Sequence, residues 1–109
     1  MGNLLLVKYI LEEAGMEVNC AKSGEDALAK LESSAFYLMI TDLNMSGLNG
    51  LELSLKASEI APHMPVILMS GDIKPEIPRL AAKAGIVKIL AKPFSPDEIL
   101  EAVTVVIGR

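Results

Sequence analysis

Apolar positions along the chain switch between two spacings. From Asn3 to Ala14, Leu4, Val7, Leu11 and Ala14 recur at helical spacing, and Gly15 follows where a helix C-cap sits. Residues 17–21 then alternate polar and apolar, the pattern of a half-exposed edge strand. Ser23 stands three residues before Asp26 and ahead of Ala27, Leu28 and Leu31, predicting a capped second helix that ends near Ser33. Residues 36–41 are nearly continuous in apolar character and stop at Asp42, as a central strand covered on both faces does. A polar, glycine-containing turn over 44–50 leads to a third helix with Leu53, Ala57 and Ile60 on one side, and Pro62 ends it. Residues 65–69 repeat the buried-strand pattern and stop at Ser70-Gly71-Asp72. A weaker helix follows, broken near its start by Pro75 and Pro78 and closed by Gly85. Residues 87–91 make a fourth strand that stops at Lys92-Pro93. The last helix is the best signalled: Ser95 as N-cap, Pro96 in the first turn, Glu98 closing a capping box, then Ile99, Val103 and Val106.

The order is one helix, then strand and helix four times over. Such alternation requires right-handed crossovers and a parallel sheet with helices on both faces, an α/β doubly wound fold. Reading 4–7 as a strand instead leaves only 8–15 for a crossover helix, fewer residues than a parallel crossover needs. No internal repeat and no Gly/Ser- or Pro-rich linker divides the sequence, so residues 1–109 are read as one domain.

Composition narrows the picture. With 109 residues, 51% hydrophobic and 22% charged, the chain has enough apolar material for a single core. The lone Cys20 excludes a disulfide framework and is expected to be buried. A net charge of −4 with Lys and Arg scattered singly offers no footprint for nucleic acid. The longest apolar stretch, 64–69, falls far short of the ~20 residues of a membrane span, and no charged lead precedes an apolar signal core. A cytoplasmic, unanchored protein is expected.

Three strands end on Asp42, Ser70 and Lys92, and ligands of open parallel sheets bind outside the carboxyl ends of the strands. Singly, each residue has an ordinary explanation: an Asx-turn, a turn hydroxyl bonded to its own backbone, a solvated charge before a proline. Together they describe a chemistry. A carboxylate at a strand end can attack phosphorus and form an acyl phosphate. The dianionic product then needs a cation and hydrogen-bond donors, which Lys92, Ser70 and the amides of Leu43, Asn44 and Met45 can supply. No general base is required, because the aspartate is already ionised at neutral pH.

Residues 40–53 (ITDLNMSGLNGLEL) resemble the phosphoacceptor segment of bacterial response-regulator receiver domains. Residues 65–71 resemble the family's switch-hydroxyl strand, and 84–94 its lysine–proline signature. The motifs stand in family order at near-family spacing along the whole chain. The resemblance implies a flavodoxin-like (βα)5 fold with strand order 2-1-3-4-5. It implies a phosphoacceptor and no enzyme: Asp42 takes phosphate from a histidine kinase or phosphotransfer protein, with Mg²⁺ alongside. Ser70 becomes the switch hydroxyl, Lys92 the charge partner of the phosphoryl group, and the Asn44 backbone carbonyl a metal ligand beside Asp42. The Lys92-Pro93 bond becomes cis.

The family's first strand and the acidic pair that ends it have no counterpart here, since only Met1-Gly2 precede the first helix. The expectation is therefore an N-terminally truncated receiver of four strands and five helices. Its open centre would be compensated by re-pairing of 17–21, or by a homodimer or strand exchange. With the acidic pair missing, Mg²⁺-dependent phosphorylation is expected to be weak or absent, and Glu12, Glu13 and Asp72 to be solvated surface charges. Ser46 and Asn49 replace a usual proline and aspartate but remain turn formers. Ile89 stands where an aromatic residue is common, and His63 is expected to be a solvated loop residue. Two other functions compete. An aspartate-nucleophile phosphatase of the haloacid dehalogenase type places a second aspartate two residues after the first, where this chain has Asn44. A receiver-shaped docking module independent of phosphorylation is favoured by the missing acids and opposed by the intact Asp42, Ser70 and Lys92. A flavin-binding flavodoxin needs a phosphate loop after its first strand, and none is visible.

Overall fold

In the computed structural model, which describes residues 2–44 and 48–107, five helices flank a three-stranded parallel sheet. The elements are α1 (Gly2–Glu13), α2 (Gly24–Ser33), β1 (Met39–Asp42), α3 (Gly50–Ile60), β2 (Val66–Ser70), α4 (Ile77–Lys83), β3 (Ile86–Ala91) and α5 (Pro96–Ile107). The strands lie in the order β1-β2-β3, all parallel. Residues 4–7 are helical, so the alternative first strand does not form.

Short-range chemistry explains most boundaries. The Ser23 hydroxyl accepts from the Asp26 amide at 3.0 Å and starts α2. Asn49 and Glu52 exchange reciprocal bonds of 2.9 and 3.0 Å at the head of α3, and Ser95 and Glu98 do the same at the head of α5, with bonds of 2.7 and 3.2 Å. Gly15 and Gly85 take φ of +92° and +83° just past α1 and α4, a left-handed backbone that glycine adopts without Cβ strain. By contrast, α4 has no side-chain cap at Glu76 and a proline in its first turn, and it is the shortest helix at 7 residues.

At the start of α2, the Lys22 amide donates to the Asp26 carboxylate at 2.9 Å, and this bond is the main cause that lowers the Asp26 pKa. A carboxyl depressed in the folded state contributes stability that is present above its unfolded value and lost as pH falls through the folded one. Asp26→Asn is thus expected to lower the melting temperature at neutral pH. That deficit should shrink once the pH passes below the ordinary aspartate value of 3.8, as followed by thermal melts across the acid range.

The core has two faces. On one, Ile67 and Met69 of β2 and Leu90 of β3 pack against Val7, Ile10 and Leu11 of α1 and Ile99, Ala102 and Val103 of α5. On the other, Val66, Leu68 and Ile86 meet Ile77 and Ala81 of α4, with Ala84 behind it. Every residue of β2 is buried, as a strand covered on both faces requires. Between Val66 and Ile67 the register to β3 slips by one, from Ile86 to Lys88, which leaves Val87 out of the ladder and 58% exposed.

Two expectations are corrected here. Residues 17–21 are not a strand, so the sheet has three strands among the described residues rather than four. The segment keeps the period-two burial of a strand, with Met16, Val18 and Cys20 half-buried and Glu17 and Asn19 exposed, but no neighbouring strand holds its backbone. Alternation of side chains is local, whereas a ladder needs a partner. Cys20 sits on this unpaired stretch and is accordingly half-buried, not buried.

Candidate functional site at the carboxyl ends of the strands

The sheet register gathers the three predicted side chains at one edge. Asp42 is level with Met69, and Ser70 with Ala91, the residue before Lys92. Two backbone bonds carry this alignment past the strand ends: Leu43 N–H donates to the Met69 carbonyl at 2.9 Å and Lys92 N–H to the Ser70 carbonyl at 2.8 Å. The Lys92-Pro93 peptide bond is cis.

The Lys92 ammonium and the Asp42 carboxylate are in direct ionic contact, each side chain roughly a quarter to a third exposed (26% and 31%). A carboxylate paired with a compact cation, both partly exposed, is an arrangement of the kind phosphoryl transfer uses to offset charge on its product. Ser70 is placed differently. It is buried, and its hydroxyl is taken up in a local turn, donating to the Asp72 carbonyl at 3.1 Å and accepting from the Asp72 amide at 3.2 Å. Asp42 and Lys92 are thus joined through their side chains, and Ser70 is joined to them through the backbone register.

The turn donors also need correction. The Leu43 amide is committed to the Met69 carbonyl and is not available to a phosphoryl group. Asn44 is exposed, while Met45 and Ser46 lie outside the described residues. Glu13, His63 and Asp72 are exposed, and Glu12 is an exposed partner of Lys8 at 2.9 Å. Ile89 packs half-buried against the second core face, with no ring at that position.

The pattern of hydrophobic positions did not single out Gly50. A Cβ built there falls onto the Asp42 carbonyl oxygen and 2.8 Å from Leu68 Cδ1, so the first turn of α3 can approach β1 only with hydrogen at that position. The Gly50 amide donates to the Leu43 carbonyl at 2.8 Å, and the buried Ser54 hydroxyl donates to the Gly50 carbonyl at 2.7 Å. The helix start is therefore locked against the strand end that carries Asp42. A glycine in the first helical position, where most residues form helix better, is the sequence signal for this contact.

For a divalent cation the donor set is thin. Mg²⁺ prefers octahedral oxygen coordination with one or two carboxylates. Asp42 supplies one carboxylate, already paired with Lys92, and the Asn44 carbonyl is a second candidate oxygen. Among the described residues no group of three or more His, Cys, Asp or Glu converges anywhere. These residues do not by themselves make a Mg²⁺ site.

Known proteins resemble this chain in sequence and fold. The Sensory/regulatory protein RpfC of Xanthomonas campestris pv. campestris is 32% identical over 104 residues, which are 91% of this chain; the chain spans only 14% of that protein's length. Chemotaxis protein CheY of Pseudomonas aeruginosa is 30% identical over 107 residues, covering 95% of this chain and 86% of CheY. The solved structure of Vibrio cholerae chemotaxis protein CheY4 superposes with a TM-score of 0.92 at 28% identity, covering 97% of this chain and 90% of its own. Residues 2–104 match the family described as the response regulator receiver domain. A match that runs from α1 into α5, on a fold shared with a chemotaxis receiver, means that this chain belongs to the response regulator receiver domain family.

Proposed function

We propose that Asp42 is a phosphoacceptor, charged by a histidine kinase or phosphotransfer protein in a cytoplasmic two-component relay. The observation that carries this reading is the contact between the Asp42 carboxylate and the Lys92 ammonium at the carboxyl ends of β1 and β3. In the transfer, a carboxylate oxygen of Asp42 attacks the phosphorus of a phosphohistidine. The new P–O bond forms as the P–N bond breaks, and the imidazole leaves with the electron pair. Lys92 follows the negative charge from the carboxylate to the phosphoryl oxygens. For Ser70 to donate to the same oxygens, its hydroxyl must leave the Asp72 turn, exchanging one hydrogen bond for another. The chain is the substrate of the transfer, not an enzyme.

The same geometry limits the reaction. With one carboxylate at the site, Mg²⁺ is held weakly, and the 109-residue chain as it stands takes phosphate poorly. Incubation with acetyl phosphate and Mg²⁺, read by intact mass, tests both parts. A minor fraction of the protein should gain one phosphoryl group, and Asp42→Asn should gain none. Full conversion that is lost in Asp42→Asn disproves the impairment, and a gain that survives the substitution disproves the assignment of Asp42. No gain at all favours the second reading, a docking module that keeps the receiver shape without phosphorylation, which the thin donor set already supports.

A further inference from the structure

Among the described residues, the buried polar side chains are Thr41, Ser54 and Ser70. Ser70 belongs to the site, and the other two converge on one backbone contact beside it. The Thr41 hydroxyl donates to the Asp42 carbonyl at 3.0 Å, and the Ser54 hydroxyl to the Gly50 carbonyl at 2.7 Å. Gly50 in turn is the residue whose missing Cβ makes room for that same Asp42 carbonyl. A bond from a serine to the carbonyl one helical turn back, as at Ser54, is common in helices. The bond from Thr41 is of another kind, because it reaches forward along β1 to the backbone of Asp42 itself.

The peptide unit between Asp42 and Leu43 is held at both ends. Its C=O belongs to Asp42 and its N–H to Leu43, and in a trans planar peptide the two point in opposite directions. The Leu43 N–H donates to the Met69 carbonyl of β2 at 2.9 Å, so the Asp42 carbonyl turns away from β2 and takes no part in the ladder between these strands. The Thr41 hydroxyl holds it there. Burial of Thr41 to 5% exposure limits the competition of water for this bond. A planar group fixed at both ends cannot rotate about the Asp42 Cα–C bond, so the backbone frame that carries the Asp42 carboxylate against Lys92 is fixed with it.

We propose that Thr41 is a positioning residue for Asp42: its hydroxyl locks the Asp42–Leu43 peptide plane and so aims the carboxylate along the line of attack on phosphorus. The role rests on the reading of Asp42 as a phosphoacceptor. Transfer to a carboxylate rewards such aim, since a misplacement of about 1 Å can cost about 100-fold in rate. Packing alone gives no reason for a buried hydroxyl at this position, because valine has nearly the same shape and is favoured in strands. Serine keeps the hydroxyl and loses a buried methyl group.

Thr41→Val and Thr41→Ser therefore separate hydroxyl from bulk, each compared with the unsubstituted 109-residue chain well below the melting temperature. The initial rate of phosphoryl gain from acetyl phosphate and Mg²⁺, followed by intact mass, should fall ~10-fold in Thr41→Val and stay within about 3-fold in Thr41→Ser. A role in packing alone predicts the reverse order, because serine leaves a cavity and valine does not. Exchange of the Leu43 amide, which needs no phosphate, should quicken ~10-fold in Thr41→Val and hold steady in Thr41→Ser. Leu43 exchange that is indifferent to loss of the hydroxyl overturns the proposal, as does phosphoryl gain in Thr41→Val at the rate of the unsubstituted chain. If the unsubstituted chain gains no phosphoryl group that Asp42→Asn abolishes, the phosphoacceptor reading fails, and Leu43 exchange still supports or overturns the lock on the peptide plane.

Discussion

Gly50→Ala is expected to destabilise the protein by about 2–3 kcal/mol, the cost of forcing volume into a packed contact. The obstructing atom is the Asp42 carbonyl oxygen, which belongs to a strand fixed by its ladder to β2, so it cannot turn away as a side chain would. Alanine is the better helix former by about 1 kcal/mol, so propensity alone predicts the opposite sign. The measurement therefore separates the two effects. A fall in melting temperature of roughly 10–20 °C shows that the close approach dominates, and an unchanged or higher value shows that it does not. Because α3 is locked to the strand end at Gly50, the same variant should also lose phosphoryl uptake at Asp42 even below its melting point.

Ile67→Ala should cost more, about 4 kcal/mol. Ile67 is fully buried in the central strand and belongs to the core cluster that joins β2 and β3 to α1 and α5. Truncation leaves a cavity whose walls are regular elements on both sides, which restricts collapse. For a domain with ordinary stability of roughly 5–15 kcal/mol, that loss is a large fraction of the total. Urea titration should show a much lower midpoint at an unchanged slope, and Ile67→Val should retain most of the stability, losing about 1 kcal/mol. A loss below about 1 kcal/mol for alanine would mean that this face of the core repacks freely.

The helices were legible in advance because their signals lie within four residues of one another. Ser23 with Asp26 and Ser95 with Glu98 announce helix starts that the structure completes with hydrogen bonds. The 65–69 and 87–91 runs became β2 and β3 with boundaries shifted by a single residue, since a continuous apolar run reports burial on both faces. The 36–41 run was less exact, for only Met39–Asp42 joins the ladder while Tyr37 turns out to solvent at 87% exposure. The expected strand at 17–21 failed for a different reason: its alternation is real, but no strand among the described residues pairs with it.

At the site, residue types and their positions at strand ends were sufficient to select Asp42, Ser70 and Lys92. What those residues touch was decided elsewhere. Parallel register set Lys92 against Asp42, the two-residue turn at Asp72 took the Ser70 hydroxyl, and the Met69 carbonyl claimed the Leu43 amide. By itself, then, the sequence determined the α/β alternation, the helix caps and the placing of Asp42, Ser70 and Lys92 at strand ends, all of which depend on spacing along one chain. Tertiary structure alone decided the one-sided ladder of β1, the glycine-only approach of α3 and the pairing of the site's charges, because each joins residues far apart in the chain whose contact exists only once the sheet has formed.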